Sequence, residues 1–238
     1  MLIIKNLTKK YGDKTVVDNL SLTVWPGEIC AFIGHNGAGK TTTLKAIAGI
    51  IQFDEGQINV GEFDVRKDAF KAKQILHYLP DNPLLYEHLT GIEQLNFIAD
   101  VFEIPEKERK EKIEYYGKRL EIYNDLNAKI STYSHGMKQK LAIVCALIHS
   151  PKLLLLDEPF VGLDPKVSHE LKLIMQELAE KGVAIFYSTH VLDVAEKICS
   201  HVAIIKNGKL VESGKMEDVK GHVSLEDIFL EKENEESR

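Results

Sequence analysis

Two N-terminal segments, residues 2–7 and 15–24, are rich in β-branched residues, and the turn signal Gly12-Asp13-Lys14 separates them. They predict paired strands that close at Pro26-Gly27. Residues 28–33 are nearly all apolar, the pattern of a strand covered on both faces, and they run through a glycine-rich turn into residues of helical composition at 41–50. Beyond a strand predicted at 75–79, Pro80 and Pro83 break the backbone, and Thr90 with Glu93 forms a capping box for a helix over 92–102. Pro105 opens a second helix to about residue 124. Ser134 caps a third over 136–150, which Pro151 ends before a buried strand at 152–156. Asp164-Pro165 begins a helix that stops before Gly182, and 183–188 is another strand. Asn207-Gly208, between apolar runs at 202–206 and 209–212, predicts a two-residue hairpin. Strand, loop and helix in this order imply a parallel α/β core. Residues from about 81 to 135 form a helical insertion in it. The acidic end is expected to fray after Leu230.

Composition narrows the class. The chain has 238 residues, 44% hydrophobic and 28% charged, so an ordinary folded domain is expected rather than a disordered or fibrous one. No apolar run approaches the roughly 18 residues of a membrane span. Leu2-Ile3-Ile4 runs directly into Lys5 and Asn6 with no secretory core, so a cytosolic chain is expected. Cys30, Cys145 and Cys199 lie far apart in apolar segments and read as core residues rather than as a disulfide or metal framework. A net charge of −6 argues against a nucleic-acid partner, which would require clustered Lys and Arg.

The sharpest chemical signal is Gly34-His35-Asn36-Gly37-Ala38-Gly39-Lys40-Thr41, two glycines spaced for a phosphate-binding loop and followed by Lys and a hydroxyl residue. Its backbone N–H groups, including those of Asn36, Gly37, Ala38 and Thr42, can wrap a polyphosphate at the start of a helix. Lys40 would reach the β- and γ-phosphates, and the Thr41 hydroxyl would ligate Mg2+. A second signal is the apolar strand that ends in Asp157-Glu158. Neighbouring carboxylates at a strand end diverge, so Asp157 can hold the magnesium shell while Glu158 polarises an attacking water.

With these motifs in order, the chain resembles the ATP-binding cassette family, the ATPase subunits of ABC transporters, over nearly its whole length. Tyr133-Ser134-His135-Gly136-Met137 is similar to the signature Leu-Ser-Gly-Gly-Gln, Gly162-Leu163-Asp164 to the D-loop, and Ser188-Thr189-His190 to the switch histidine. Tyr11 stands where the family places an adenine-stacking ring. The resemblance implies an α/β phosphate-loop NTPase core with an antiparallel N-terminal β portion and an inserted helical subdomain, spanning 1–223 and followed by an acidic tail at 224–238. It implies hydrolysis of ATP with Mg2+ in a head-to-tail dimer, where Ser134, Gly136 and Asp164 of one chain meet the nucleotide of the other. Glu158 and His190 would be catalytic, and Thr41, Asp81 and Asp157 would hold the metal. Transmembrane permease subunits at the cytoplasmic face of the membrane would receive the motion. The ending Ser224-Leu225-Glu226-Asp227-Ile228-Phe229 resembles those of drug, antibiotic and polysaccharide exporters.

Three residues depart from the family pattern. His135 replaces the first signature glycine, Met137 its terminal glutamine, and Asp81 the glutamine that opens the link to the insertion. A nucleotide-gated interaction module without a membrane partner is the alternative reading. Relatives of that kind carry coiled coils or fused cassettes, which this chain lacks.

Overall fold

A computed structural model describes residues 1–221 and 223–234. β1 (Leu2–Tyr11) and β2 (Lys14–Val24) form an antiparallel hairpin, and β3 (Ile29–Ile33) leads through the glycine loop into α1 (Lys40–Ile47). β4 (Glu55–Val60) returns beside β1 and the short β5 (Phe63–Asp64) follows it, giving a four-stranded sheet in the order β2-β1-β4-β5. α2 (Ala69–Ile75) precedes β6 (Leu76–Leu79). The insertion then supplies α3 (Gly91–Val101), α4 (Glu106–Arg119) and two short 3-10 turns, and α5 (His135–Ile148) runs back to the core. β7 (Leu153–Asp157), α6 (Pro165–Glu180), β8 (Ala184–Thr189), α7 (Leu192–Ile198), β9 (His201–Lys206), β10 (Lys209–Lys215), α8 (Met216–Lys220) and α9 (Leu225–Asn234) complete the described chain.

The second sheet has the order β10-β9-β3-β8-β7-β6, parallel from β9 to β6, with β10 antiparallel at one edge. Its central strands β3, β7 and β8 are buried on both faces, and the two-residue period divides their side chains between two cores. Ile29, Ala31 and Ile33 pack with Leu154, Leu156, Ile185 and Tyr187 under α5 and α6. Cys30 and Phe32 pack with Leu153, Leu155 and Phe186 against α1 and the N-terminal sheet. This two-sided burial explains why the sequence shows unbroken apolar runs there. All three cysteines are buried and free.

The capping box at Thr90 forms as expected. The Thr90 N–H donates to Glu93 at 2.7 Å, and the Glu93 N–H donates to Thr90 Oγ1 at 3.3 Å. Asn207 and Gly208 both have positive φ, 48° and 82°, as the hairpin turn requires. Two expectations are corrected. The helix from Pro105 stops at Arg119, because Leu120 buries fully and Glu121 turns to φ 54°. The end expected to fray after Leu230 is helical as far as Asn234, where α9 stops; residues 235–238 lie outside the described residues. Ser224 and Asp227 cap it reciprocally: the Ser224 N–H and Oγ donate to Asp227 at 3.3 and 2.6 Å, and the Asp227 N–H donates to Ser224 Oγ at 3.1 Å. Leu225 and Ile228, three residues apart, bury on one face.

The insertion is tied to the core by charge. At the end of α4 the Arg119 guanidinium donates to both oxygens of Glu177 on α6, at 2.7 and 2.8 Å, and also to Glu170.

Candidate functional site

The glycine loop is held from below and open above. A Cβ at Gly34 would collide with the Ile205 carbonyl, and one at Gly39 would lie 2.8 Å from the Val16 carbonyl, where φ is also +110°. Only glycine lets β3 turn this sharply between β2 and β9. The Gly208 N–H donates to the Ala38 carbonyl at 3.0 Å, so the β9–β10 turn props the loop. A Cβ at Gly37, on the rim, would meet nothing within 4 Å.

α1 begins at Lys40 with no side-chain cap, so its first N–H groups keep their capacity for an anion. Lys40 is buried, and its ammonium donates to the carbonyls of Gly34 and His35 at 2.5 and 3.2 Å. Burial lowers the Lys40 pKa, while the charges of Glu158 and Asp157 pull it back up.

The carboxylates arrive from β7. Thr41 Oγ1 donates to Asp157 Oδ2 at 2.7 Å, and Ser188 Oγ donates to Asp157 Oδ1 at 2.5 Å. Tyr78 also points its hydroxyl at Asp157, at 3.5 Å, and burial followed by that charge raises the tyrosine pKa. Glu158 stands at φ 50°, an uncommon conformation for a residue with a side chain. Its N–H donates to the carbonyl and hydroxyl oxygens of Ser188, both at 3.2 Å. Thus pinned, Glu158 places Oε1 2.9 Å from His190 Nδ1. A cleft of about 210 Å³ joins Asn36, Gly37, Gly39, Thr42 and Asp81 to Lys40, Thr41, Asp157 and Glu158. A hydroxyl, one or two carboxylates and room for phosphate oxygens make a hard oxygen donor set that fits Mg2+.

Comparison with known proteins gives the family. A protein-family model described as ABC transporter matches residues 17–161. The chain is 39% identical over 216 residues to the uncharacterized ABC transporter ATP-binding protein MJ1023 of Methanocaldococcus jannaschii, covering 91% of this chain and 78% of that one. It belongs to the ATP-binding cassette family of ABC transporters. The linearmycin resistance ATP-binding protein LnrL of Bacillus subtilis is 35% identical, with 92% of this chain and 70% of that one covered. A solved structure described as the ATP binding subunit of an ABC transporter superposes with a TM-score of 0.94 at 33% identity, covering 97% of this chain and 98% of that one. This cassette is therefore an ABC-type ATPase.

Other expected residues lie apart from the phosphate cleft. Ser134 caps α5, accepting from the Met137 N–H at 3.3 Å. Asp164 caps α6, accepting from the Val167 N–H at 2.9 Å, with Lys140 at 3.1 Å; the backbone bond and then the lysine hold its pKa below the usual carboxylate range. These two helix starts interlock. A Cβ at Gly136 would lie 2.7 Å from the Gly162 carbonyl, and one at Gly162 would lie 2.7 Å from the His135 ring. Neither Ser134, Gly136 nor Asp164 lines the cleft around Lys40. Tyr11 does not line it either; the ring is half exposed at the end of β1 with the Lys9 ammonium 4.8 Å from its centre.

Sequence reading missed Ser188, Tyr78 and Val16. Ser188 was visible beside His190, but its hydroxyl matters because β8 pairs with β7 in a register that sets Ser188 opposite Asp157. That pairing has no local signal in the sequence.

Proposed function

We propose that this cassette binds ATP with Mg2+ and closes head to tail on a second cassette, and that hydrolysis reopens the pair to drive export by separate membrane subunits. The observation that carries this reading is the convergence of Thr41, Asp157, Ser188, Glu158 and His190 around the buried Lys40. Thr41 and Asp157 would hold the metal with Asp81 at its rim, and the ion would neutralise charge on the β- and γ-phosphate oxygens. Lys40 and the loop N–H groups bind the triphosphate. Glu158 accepts the proton of the attacking water, and His190, fixed to Glu158, faces the γ-phosphate. Tyr11 offers its exposed ring to adenine.

Ser134, Gly136 and Asp164 stand away from the cleft of their own chain, which supports their use on the nucleotide of a partner. An apolar groove of about 650 Å³ shares Thr41, Asp81 and Asp157 with the phosphate cleft and extends to Leu84, Leu85 and Ile98. Leu84 is 91% exposed, which suits it to docking a permease segment at the cytoplasmic face of a membrane. Among the described residues no helix is long and apolar enough to cross a membrane, so that permease would be a separate chain or segment. The resistance function in the name of LnrL supports export.

Affinity purification from detergent-solubilised membranes tests the assignment. A multi-span protein recovered with the cassette in stoichiometric amount supports it. Recovery of nucleic acid or ribosomes in its place overturns it.

A further inference from the structure

We propose that Phe229 of the C-terminal helix is a positioning residue of the ATPase site, which ties the rim of the phosphate loop to the helix that follows His190. The proposal rests on the reading above of the loop and His190 as nucleotide contacts. α9 packs on α7, the helix that opens two residues after His190, and buries Leu225 and Ile228 in the same apolar cluster as Ala195 of α7 and Cys199 just after it. The Lys220 ammonium, just before this segment, pairs with Glu196 of α7. From this seat Phe229 turns toward the glycine loop, where its ring meets the His35 ring edge-on with centroids 4.9 Å apart and planes at 60°. The result is a cleft of about 250 Å³ bounded by Gly34, His35, Asn36, His190, Leu192 and Phe229.

The loop's own construction gives this contact its role. Its base is clamped by β2 and β9, since Gly34 and Gly39 have no room for a Cβ. Its rim, residues 35–37, is exposed, and a Cβ at Gly37 would meet nothing within 4 Å. A rim that is ordered before it wraps phosphates binds them with higher affinity. His35 occupies a position between the two motif glycines whose side chain the phosphate-binding pattern leaves unspecified, and Phe229 meets its ring there. An aromatic edge supplied by α9 holds that side chain, and the same helix buttresses the segment carrying His190. Both sides of the γ-phosphate position are thereby braced by one tail helix.

A double-mutant cycle on the full chain tests this, with Phe229→Leu and His35→Ala made separately and together and ATP hydrolysis read as KM and kcat. Leucine keeps an apolar contact at the site but removes the aromatic edge. Each single change should raise KM by about two- to tenfold, the range an edge-on aromatic pair supplies. The pair should raise it no further, and Phe229→Tyr should keep the parent KM. An unchanged KM in Phe229→Leu, or effects that multiply in the double variant, overturns the proposal. Should Phe229→Leu not melt cooperatively, His35→Ala decides alone, because it must then raise KM with its melting temperature unchanged. Lys40→Ala is the control for the underlying reading. If it weakens nucleotide binding while Phe229→Leu and His35→Ala leave KM untouched, only the role of the tail helix fails; if nucleotide affinity is unchanged in Lys40→Ala, the loop assignment itself fails.

Discussion

Replacing Glu158 with Gln isolates the chemical step, because the substitution keeps the shape of a side chain that the structure holds on several sides. The backbone at Glu158 is fixed by two bonds to Ser188, and Oε1 lies 2.9 Å from His190 Nδ1. An amide oxygen can accept the same bond from the imidazole, so the loop should not move. What is lost is proton-accepting capacity, which contributes about 10²- to 10⁴-fold in enzymes that use a positioned base. A hundredfold fall in turnover is therefore the expected minimum, or about 2.7 kcal/mol of barrier. The sign for binding is opposite. The Glu158 charge acts on Lys40, and it would repel a triphosphate held by the same ammonium. Removing it should leave ATP affinity equal or higher, and the stalled complex should run as a dimer in size-exclusion chromatography with ATP. Phosphate release and nucleotide titration on one preparation give both quantities. Wild-type turnover in Glu158→Gln would refute the assignment of the base, and a loss of affinity would refute the electrostatic argument.

Lys40→Ala should weaken ATP binding by about 1.5 to 3 kcal/mol, the range of a charge-assisted contact, as measured by calorimetry. Gly136→Ala sets a Cβ 2.7 Å from the Gly162 carbonyl, so the two helix starts must part; a loss of about 1 to 3 kcal/mol is expected, read as a melting temperature lower by about 2 to 10 °C. His77 Nδ1 and His149 Nε2 lie 2.9 Å apart where β6 meets the end of α5, with Phe102 stacked on His149. Burial lowers their pKa values to about 3 and about 4, with the neighbouring imidazole adding to the first and Lys112 to the second. Both folded values lie below the ordinary histidine value, so the unfolded chain binds more protons in acid. Stability should be complete above about pH 6.5 and fall toward pH 4, by up to about 1.4 kcal/mol per pH unit for each histidine. Denaturant titrations at several pH values should show a shallower acid slope in His149→Gln, and an identical slope would mean that the pair does not titrate as argued.

The parts of the site legible in the sequence are those whose chemistry is local. A phosphate loop needs its glycines, lysine and threonine at fixed spacing, and a strand ending in Asp157-Glu158 follows from the apolar run before it. The parts that escaped depend on which strands become neighbours. Ser188 reaches Asp157 only because β8 lies between β3 and β7. β5, α2 and α7 left weak signals, since two-residue strands and seven-residue helices are set by packing rather than by periodicity. The tail shows the same limit. Its acidic composition suggested fraying, yet one capping pair and two buried side chains continue the helix and bring Phe229 to the loop.

His135 is the instructive departure. It stands at a glycine position of the signature, and its ring packs at Gly162 of its own chain, where a Cβ would lie 2.7 Å away. Glycine at 162 and histidine at 135 thus form a fitted pair, in which the ring fills the space left by the missing side chain. The interlock fixes the start of α5 relative to the start of α6, and so fixes Ser134 relative to Asp164. These are the two capping side chains that the cassette would present to a partner. Their mutual geometry is then set within one chain before any dimer forms, which reduces what must be ordered on closure.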